Sequence, residues 1–196
     1  MSAQLHFDPE AHVYRMGGVR LPSVTQILEV LDLMSGVPYE QMRAAGEFGT
    51  NVHHACHLLD TQQLDAKTLD PALRPYVESY ARFLEDSQVV VIASESIEWH
   101  PEYLYAGGLD RKVLFPRLTV PSILDIKTSA GVPAHVGPQT AAYRELERAH
   151  GRQTTPTRYC LHLKPGGGYK LHKLTLFSDF SVFTACRTVF RFRYGY

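Results

Sequence analysis

The sequence predicts an α/β fold in which a central mixed β-sheet is flanked by helices. Apolar residues recur at helical spacing in residues 43–59 and 71–85. Extended segments rich in β-branched residues follow, at 88–99, 104–115 and 122–127. A helical pattern comes next at 138–150, and two more extended segments cover 158–164 and 169–174. This order of helices, three strands, a helix and two strands is typical of an α/β core.

The N-terminal segment predicts a β-hairpin that leads into a helix. Residues 5–7 and 12–16 form its strands, with a turn at residues 8–10 and an end at Gly17 and Gly18. Ser23 begins the helix, because Gln26 stands three positions later and completes a capping box.

The C-terminal part predicts a second hairpin followed by a helix. Glycines at 166–168 form the hairpin turn, since they lack the Lys-Ser/Thr of a phosphate-binding loop. The last helix begins near Ser178. Earlier in the chain, Tyr76, Tyr80 and Phe83 recur at helical spacing, which favours packing in the core over stacking on DNA bases.

Length and composition indicate one globular domain spanning residues 1–196. The chain is 44% hydrophobic and 20% charged, and it contains no apolar run that could cross a membrane. Its N-terminus has no signal-peptide pattern, so we expect a cytoplasmic protein. Three scattered cysteines, without a C-x-x-C pair, argue against disulfides and against an iron–sulfur cluster and are expected to be buried thiols: Cys56, Cys160 and Cys186.

A net charge of zero does not by itself suggest a nucleic-acid ligand. Two local groups of basic residues could still form a basic groove, although a solvated surface is their simpler interpretation. These groups are Lys164, Lys170 and Lys173, and Arg187, Arg191 and Arg193.

The residues that suggest chemistry lie between positions 107 and 143. Asp110 stands in an apolar strand, and Asp125 and Lys127 follow in the next strand. Residues two apart in a strand project from the same face, so Asp125 and Lys127 point together, while Leu124 and Ile126 point into the core. An ordinary ion pair explains Asp-x-Lys alone, but a spacing of fifteen residues lets both aspartates share one site.

Two helical motifs add to this pattern. Gln139 and Tyr143 are four residues apart and share one helix face. Upstream, His53 follows Gly49 by four residues in a predicted helix.

These motifs follow one another along the chain as Gly-x-x-x-His, Gly-x-x-Asp, Asp-x-Lys and Gln-x-x-x-Tyr. Their order resembles that of the PD-(D/E)XK nuclease superfamily, in its RecB-like and phage-type exonuclease branch. The resemblance also includes the 14–28 opening and the late hairpin, and it covers most of the chain. It implies a restriction-endonuclease-like core and a metal-dependent DNA nuclease, most often an exonuclease, that acts in DNA end processing, recombination or repair. It departs at Leu109, where this branch usually has proline.

The resemblance also implies a role for each site residue. Asp110 and Asp125 would ligate Mg²⁺ or Mn²⁺, one ion or two, together with His53 and the backbone carbonyl of Ile126. Lys127 would position the attacking water and offset charge in the transition state. The remaining site residues would be Gln139 and Tyr143, which support the site, and Glu95, an additional acid. Expected partners are DNA and a single-strand annealing or binding protein, and an oligomer stays open.

Three alternatives compete with this interpretation. A non-catalytic DNA-binding module could keep the nuclease fold, although it would not need both aspartates, the lysine and the histidine. A structural zinc could bind His53, Cys56 and His57, but His54 excludes a zincin because that position requires glutamate. A cysteine nucleophile, Cys56 or Cys160, would need a spatial triad.

Overall fold

The computed structural model describes residues 4–9, 11–31 and 36–196 of the chain. Its strands are β1 Leu5–Asp8, β2 Val13–Met16, β3 Val19–Leu21, β4 Val90–Trp99, β5 Ala106–Leu114, β6 Ser122–Lys127, β7 Arg158–Leu163 and β8 Tyr169–Leu174. Its α-helices are α1 Val24–Leu28, α2 Tyr39–Asp60, α3 Arg74–Ser87, α4 Val136–Ala149 and α5 Asp179–Tyr194, and a 3₁₀-helix covers Glu29–Leu31.

The central sheet has five strands in the order β4-β5-β6-β7-β8. β6 and β7 are parallel, whereas the other neighbours are antiparallel. A parallel pair needs a crossover connection, and α4 supplies it between these two strands. The predicted α/β fold with a mixed sheet is therefore confirmed.

Helices cover both faces of this sheet and form two separate hydrophobic clusters. On one face, α2 and α3 pack against Leu124 and Ile126 of β6. On the other face, α1, α4 and α5 pack against Ile123 of β6 and Leu109 of β5. Leu124 and Ile126 are completely buried, as the alternation along β6 predicted.

The N-terminal segment forms a three-stranded antiparallel sheet rather than a two-stranded hairpin. Gly17 and Gly18 have φ angles of 55° and 85°, which suit a two-residue hairpin turn, so the chain returns as β3 instead of ending there. Glu10, which belongs to the predicted turn at residues 8–10, lies outside the described residues, as do residues 1–3.

A side-chain cap begins α1, whereas α3 begins without one. Ser23 and Gln26 form the predicted capping box, with Gln26 N donating to Ser23 Oγ at 3.0 Å. The helical pattern over residues 71–85 predicted an earlier start for α3, but the Asp70 carboxylate accepts a hydrogen bond from Ala72 N in a preceding turn, and the helix begins at Arg74. Pro75 suits this first turn because its missing N–H needs no acceptor there.

Two further sequence predictions are confirmed. The aromatic side chains of α3 lie in the core, and the cysteines are free and buried: Tyr76, Tyr80, Phe83, Cys56, Cys160 and Cys186. Within the part of the chain that the structure describes, no helix is both long and apolar enough to span a bilayer.

Candidate metal centre and active site

Asp110 lies where β5 and β6 stop pairing. The last paired residues of the two strands in this direction are Arg111 and Leu124, so one further step would bring Asp110 opposite Asp125. Asp110 Oδ2 instead accepts a hydrogen bond from the backbone N–H of Ile126 at 2.7 Å. The carboxylate thus takes the place of a strand carbonyl and is fixed at the end of the ladder.

Glu95 faces the same point from β4. The register that pairs Ser94 with Arg111 and Ser96 with Leu109 places Glu95 opposite Asp110. Glu95 also has a φ of 54°, a left-handed conformation that is costly for a glutamate and interrupts the regular strand. Burial raises the pKa of the Glu95 carboxyl group, and repulsion by the Asp110 carboxylate raises it further.

His53 on α2 completes a group of three potential metal ligands. Each of His53, Glu95 and Asp110 offers one ligand atom, and these three atoms lie within 4.8 Å of one another. Among the described residues, this is the group of three histidine, cysteine or acidic side chains that meets this criterion. Carboxylates directly opposite each other destabilise a sheet unless a cation lies between them. The residues therefore fit a bound divalent cation.

Both nitrogens of His53 face oxygen atoms. Nε2 lies 3.0 Å from the carbonyl of Ile126, and Nδ1 lies 3.3 Å from Asp110 Oδ1. A neutral imidazole has one donor, so this arrangement requires either an imidazolium or a cation beside one nitrogen. Burial alone would lower the pKa of His53, but the charge of Asp110 outweighs it and raises that pKa.

The carbonyl group of Ile126 is accordingly a partner of His53 in this structure. Metal-ligating histidines commonly donate their second N–H to such a carbonyl, which fixes the ring. Direct ligation by Ile126, which the resemblance implies, stays a prediction.

Asp125 and Lys127 form the second part of the site. Lys127 Nζ lies 2.8 Å from Asp125 Oδ2, and both side chains project from the same face of β6 as expected. Asp125 is only 1% exposed, and neither of its oxygens receives a well-oriented hydrogen bond. One poorly oriented ammonium does not fully compensate a buried carboxylate, and a cation would offset the remaining cost.

The two aspartates differ in their acidity. Burial and the neighbouring Asp110 charge raise the pKa of Asp125, although Lys127 opposes the shift. For Asp110, burial acts in the same direction, but His53 and the amide of Ile126 outweigh it and lower the pKa. Lys127 itself has a raised pKa, because the two carboxylates outweigh its burial, and it therefore stays an ammonium at neutral pH.

Gln139 and Tyr143 on α4 lie behind these groups. Gln139 Nε2 donates a hydrogen bond to Tyr143 Oη at 3.1 Å, and both side chains are buried. Burial, and then the charges of Asp125 and Asp110, raise the pKa of Tyr143 well above its usual value, so the phenol stays protonated. Gly107 makes this position accessible, because a Cβ there would lie 2.8 Å from Tyr143 Cε1.

Arg111 is a site residue that the sequence reasoning did not single out. Its side chain is completely buried and donates to Glu95 Oε1 at 2.7 Å and to the Asp110 carbonyl at 2.6 Å. On its other side it forms an ion pair with Asp60 at 2.6 Å and a hydrogen bond with Tyr80. The sequence feature that could have identified it is its position directly after Asp110, a candidate ligand, in an apolar strand.

The neighbouring histidines of α2 do not join the group. His54 is exposed, and His57 Nδ1 lies 2.7 Å from Ser94 Oγ. Cys56 is buried, and that burial raises the pKa of its thiol to about 12. These positions disfavour both a structural zinc at His53, Cys56 and His57 and a reactive Cys56 thiolate.

No family model and no curated protein matches the sequence. Among solved structures, a crystal structure of LHK-Exo in complex with dAMP is similar, with a TM-score of 0.42 and 13% sequence identity. That similarity covers 88% of this chain and 87% of that chain. So low a TM-score assigns the chain to no family, and the chemistry open to the site follows from its own residues.

Proposed function

We propose that the chain is a divalent-metal-dependent nuclease that hydrolyses phosphodiester bonds in DNA. The observation that carries the proposal is the convergence of His53, Glu95 and Asp110 beside a buried, hydrogen-bond-deficient Asp125 that is paired with Lys127. The order of these motifs also resembles that of PD-(D/E)XK nucleases.

The metal would be held by His53, Glu95 and Asp110, with Asp125 beside them as a further ligand. Carboxylate oxygens suit Mg²⁺, and an imidazole shifts the preference towards Mn²⁺. When bound, such an ion lowers the pKa of a coordinated water and neutralises charge on the phosphate. Glu95, expected from the sequence only as an additional acid, is thus proposed as a metal ligand.

Lys127 would hold the attacking water and the phosphate. Its ammonium is charged and lies 2.8 Å from Asp125 Oδ2, so it would supply a positive charge beside the reacting group. Such a preorganised charge stabilises the additional negative charge of the transition state more strongly than it stabilises the substrate.

Gln139 and Tyr143 would orient Asp125 from behind. A protonated phenol can donate a hydrogen bond to a carboxylate, and Gln139 fixes the phenol by its own hydrogen bond. Because Tyr143 is buried, we assign it to positioning the site and not to proton transfer.

Within this function, the resemblance favours an exonuclease that processes DNA ends in recombination or repair, with a single-strand annealing or binding protein as its partner. An exonuclease requires a free end, so linear DNA would be degraded and covalently closed circles would persist.

The test is digestion of end-labelled linear, circular and single-stranded DNA with Mg²⁺, with Mn²⁺ and with EDTA. We expect metal-dependent cleavage by the wild type and its loss in Asp125→Asn and Lys127→Ala. Lys112→Ala is the matched control, because Lys112 forms an ion pair of the same 2.8 Å length with Glu147 and has a similar exposure, 16% against 18% for Lys127.

Cleavage that persists in Asp125→Asn would overturn the proposal. DNA binding by the wild type without cleavage under either metal would instead favour a non-catalytic DNA-binding module.

A further inference from the structure

Three residues form a transverse row that leads from the centre to the edge of the sheet. Lys127 of β6 pairs with His162 of β7, and His162 pairs with Lys170 of β8. Paired residues on neighbouring strands project from the same face. Lys170 therefore shares the face of Lys127, two strands away.

Lys170 is an unpaired charge at the end of this row. Its side chain is exposed, and among the described residues no carboxylate forms an ion pair with it. His162, between the two lysines, is buried, and its Nε2 lies 2.7 Å from the carbonyl of Ser129. The imidazole thus anchors the loop that follows Lys127, and Lys170 remains available to an anion.

The two sides of the centre differ in charge. β4, on one side, contains Glu95 and Glu98 and no lysine or arginine. β7 and β8, on the other side, contain no acid, and on the face of Lys127 their exposed charge is Lys170, since Arg158 is buried in an ion pair with Asp179. On β4 the two glutamates are paired with Arg111 and Arg152, so Lys170 is the uncompensated charge that would attract a polyanion bound at the centre.

We propose that a bound nucleic-acid strand leaves the centre across β7 and β8, where Lys170 Nζ binds one of its backbone phosphates. This proposal rests on the proposed function for its starting point, the scissile phosphate beside Lys127. Two strand spacings are roughly 10 Å, and a duplex rises about 3.4 Å per nucleotide along its axis, so the contacted phosphate lies within about three nucleotides of the scissile one.

Lys173 provides a control on the same strand. It lies three residues from Lys170, so it projects from the opposite face of β8. That face packs on α3: the ring centroids of Tyr169 and Phe83 are 5.5 Å apart, and Tyr169 Oη donates to Asp86. Lys173 is also exposed and unpaired among the described residues, so it matches Lys170 in charge and exposure but not in direction.

The test is fluorescence-anisotropy binding of a labelled single-stranded oligonucleotide in EDTA, which separates binding from cleavage. We expect Lys170→Ala to weaken binding by roughly 3- to 10-fold and to reduce the slope of log K against log salt by about 0.7. Lys173→Ala should leave both quantities unchanged, and Lys170→Arg should restore them because it keeps the charge.

Equal effects of the two alanine variants, an unchanged slope in Lys170→Ala, or the absence of DNA binding would overturn the proposal. Lys170-dependent binding by a chain that cleaves no DNA with Mg²⁺ or Mn²⁺ would support this surface and reject the nuclease function. The two proposals can thus fail separately.

Discussion

Arg111 Nη1 donates a hydrogen bond to Glu95 Oε1 at 2.7 Å, which joins a completely buried guanidinium to a carboxylate that is 40% exposed. The same guanidinium forms an ion pair with the nearly buried Asp60 at 2.6 Å. Arg111 therefore holds Glu95, whose backbone is in a left-handed conformation, at the proposed metal centre and ties it to the core between α2 and α3.

Replacement of Arg111 by lysine should weaken metal binding. Lysine keeps the charge but lacks the planar fork that reaches Glu95 and Asp60 together. Loss of a group that orients a ligand typically reduces metal affinity by about 10- to 100-fold, so we expect a decrease in this range for Mn²⁺, measured by electron paramagnetic resonance.

Arg158→Lys is the matched control for Arg111. Arg158 is also a buried arginine with an ion pair, to Asp179, but it lies outside the group of proposed ligands. A general effect of replacing a buried arginine would lower Mn²⁺ affinity equally in both variants, and that outcome would reject a positioning role for Arg111.

Asp125→Asn should stabilise the metal-free protein while it abolishes cleavage. The pKa of Asp125 is raised in the folded state, so its neutral form stabilises the fold at low pH and this contribution is lost as pH rises through the folded-state pKa. At pH 8 the ionised carboxylate is unfavourable, and asparagine resembles the neutral form. We therefore expect a higher Tm than wild type in EDTA.

Saturating Mn²⁺ should reverse this order. An ion at 100 times its Kd adds about 2.7 kcal/mol to the stability of a protein that binds it, and Asp125→Asn should lose most of this gain. Asp179→Asn, a change at a buried carboxylate paired with Arg158, should lower Tm in both conditions. A lower Tm for Asp125→Asn in EDTA would contradict the argument.

Sequence periodicity predicted the strands and helices well because burial on a sheet face or a helix face repeats with a fixed spacing. The bounds of β6 and β8 agree with the prediction to the residue. The network of Arg111 was not predicted, since it depends on which side chains meet across β4, β5, α2 and α3. Likewise, β3 was missed because Gly17 and Gly18 indicate a turn but not how long the returning strand is.

The candidate site could be predicted from the sequence only in part, for a similar reason. Spacing within one strand placed Asp125 and Lys127 together, and this pair is observed. The position of Glu95 opposite Asp110 depends on the register between β4 and β5 and on one left-handed residue, which no local pattern encodes.

Gly107→Ala should impair both folding and the site, whereas Gly108→Ala should have little effect. A Cβ at position 107 would lie 2.8 Å from Tyr143 Cε1 and 3.1 Å from Val24 Cγ2, whereas at position 108 the nearest atom, Tyr14 Oη, is 3.9 Å away. Overpacking of this kind costs about 1–3 kcal/mol, which urea unfolding would measure. Because Tyr143 must move, we also expect kcat to fall in Gly107→Ala more than in Gly108→Ala. Equal stability of the two variants would show that Tyr143 is not fixed by its contact with β5, and its positioning role would then be rejected.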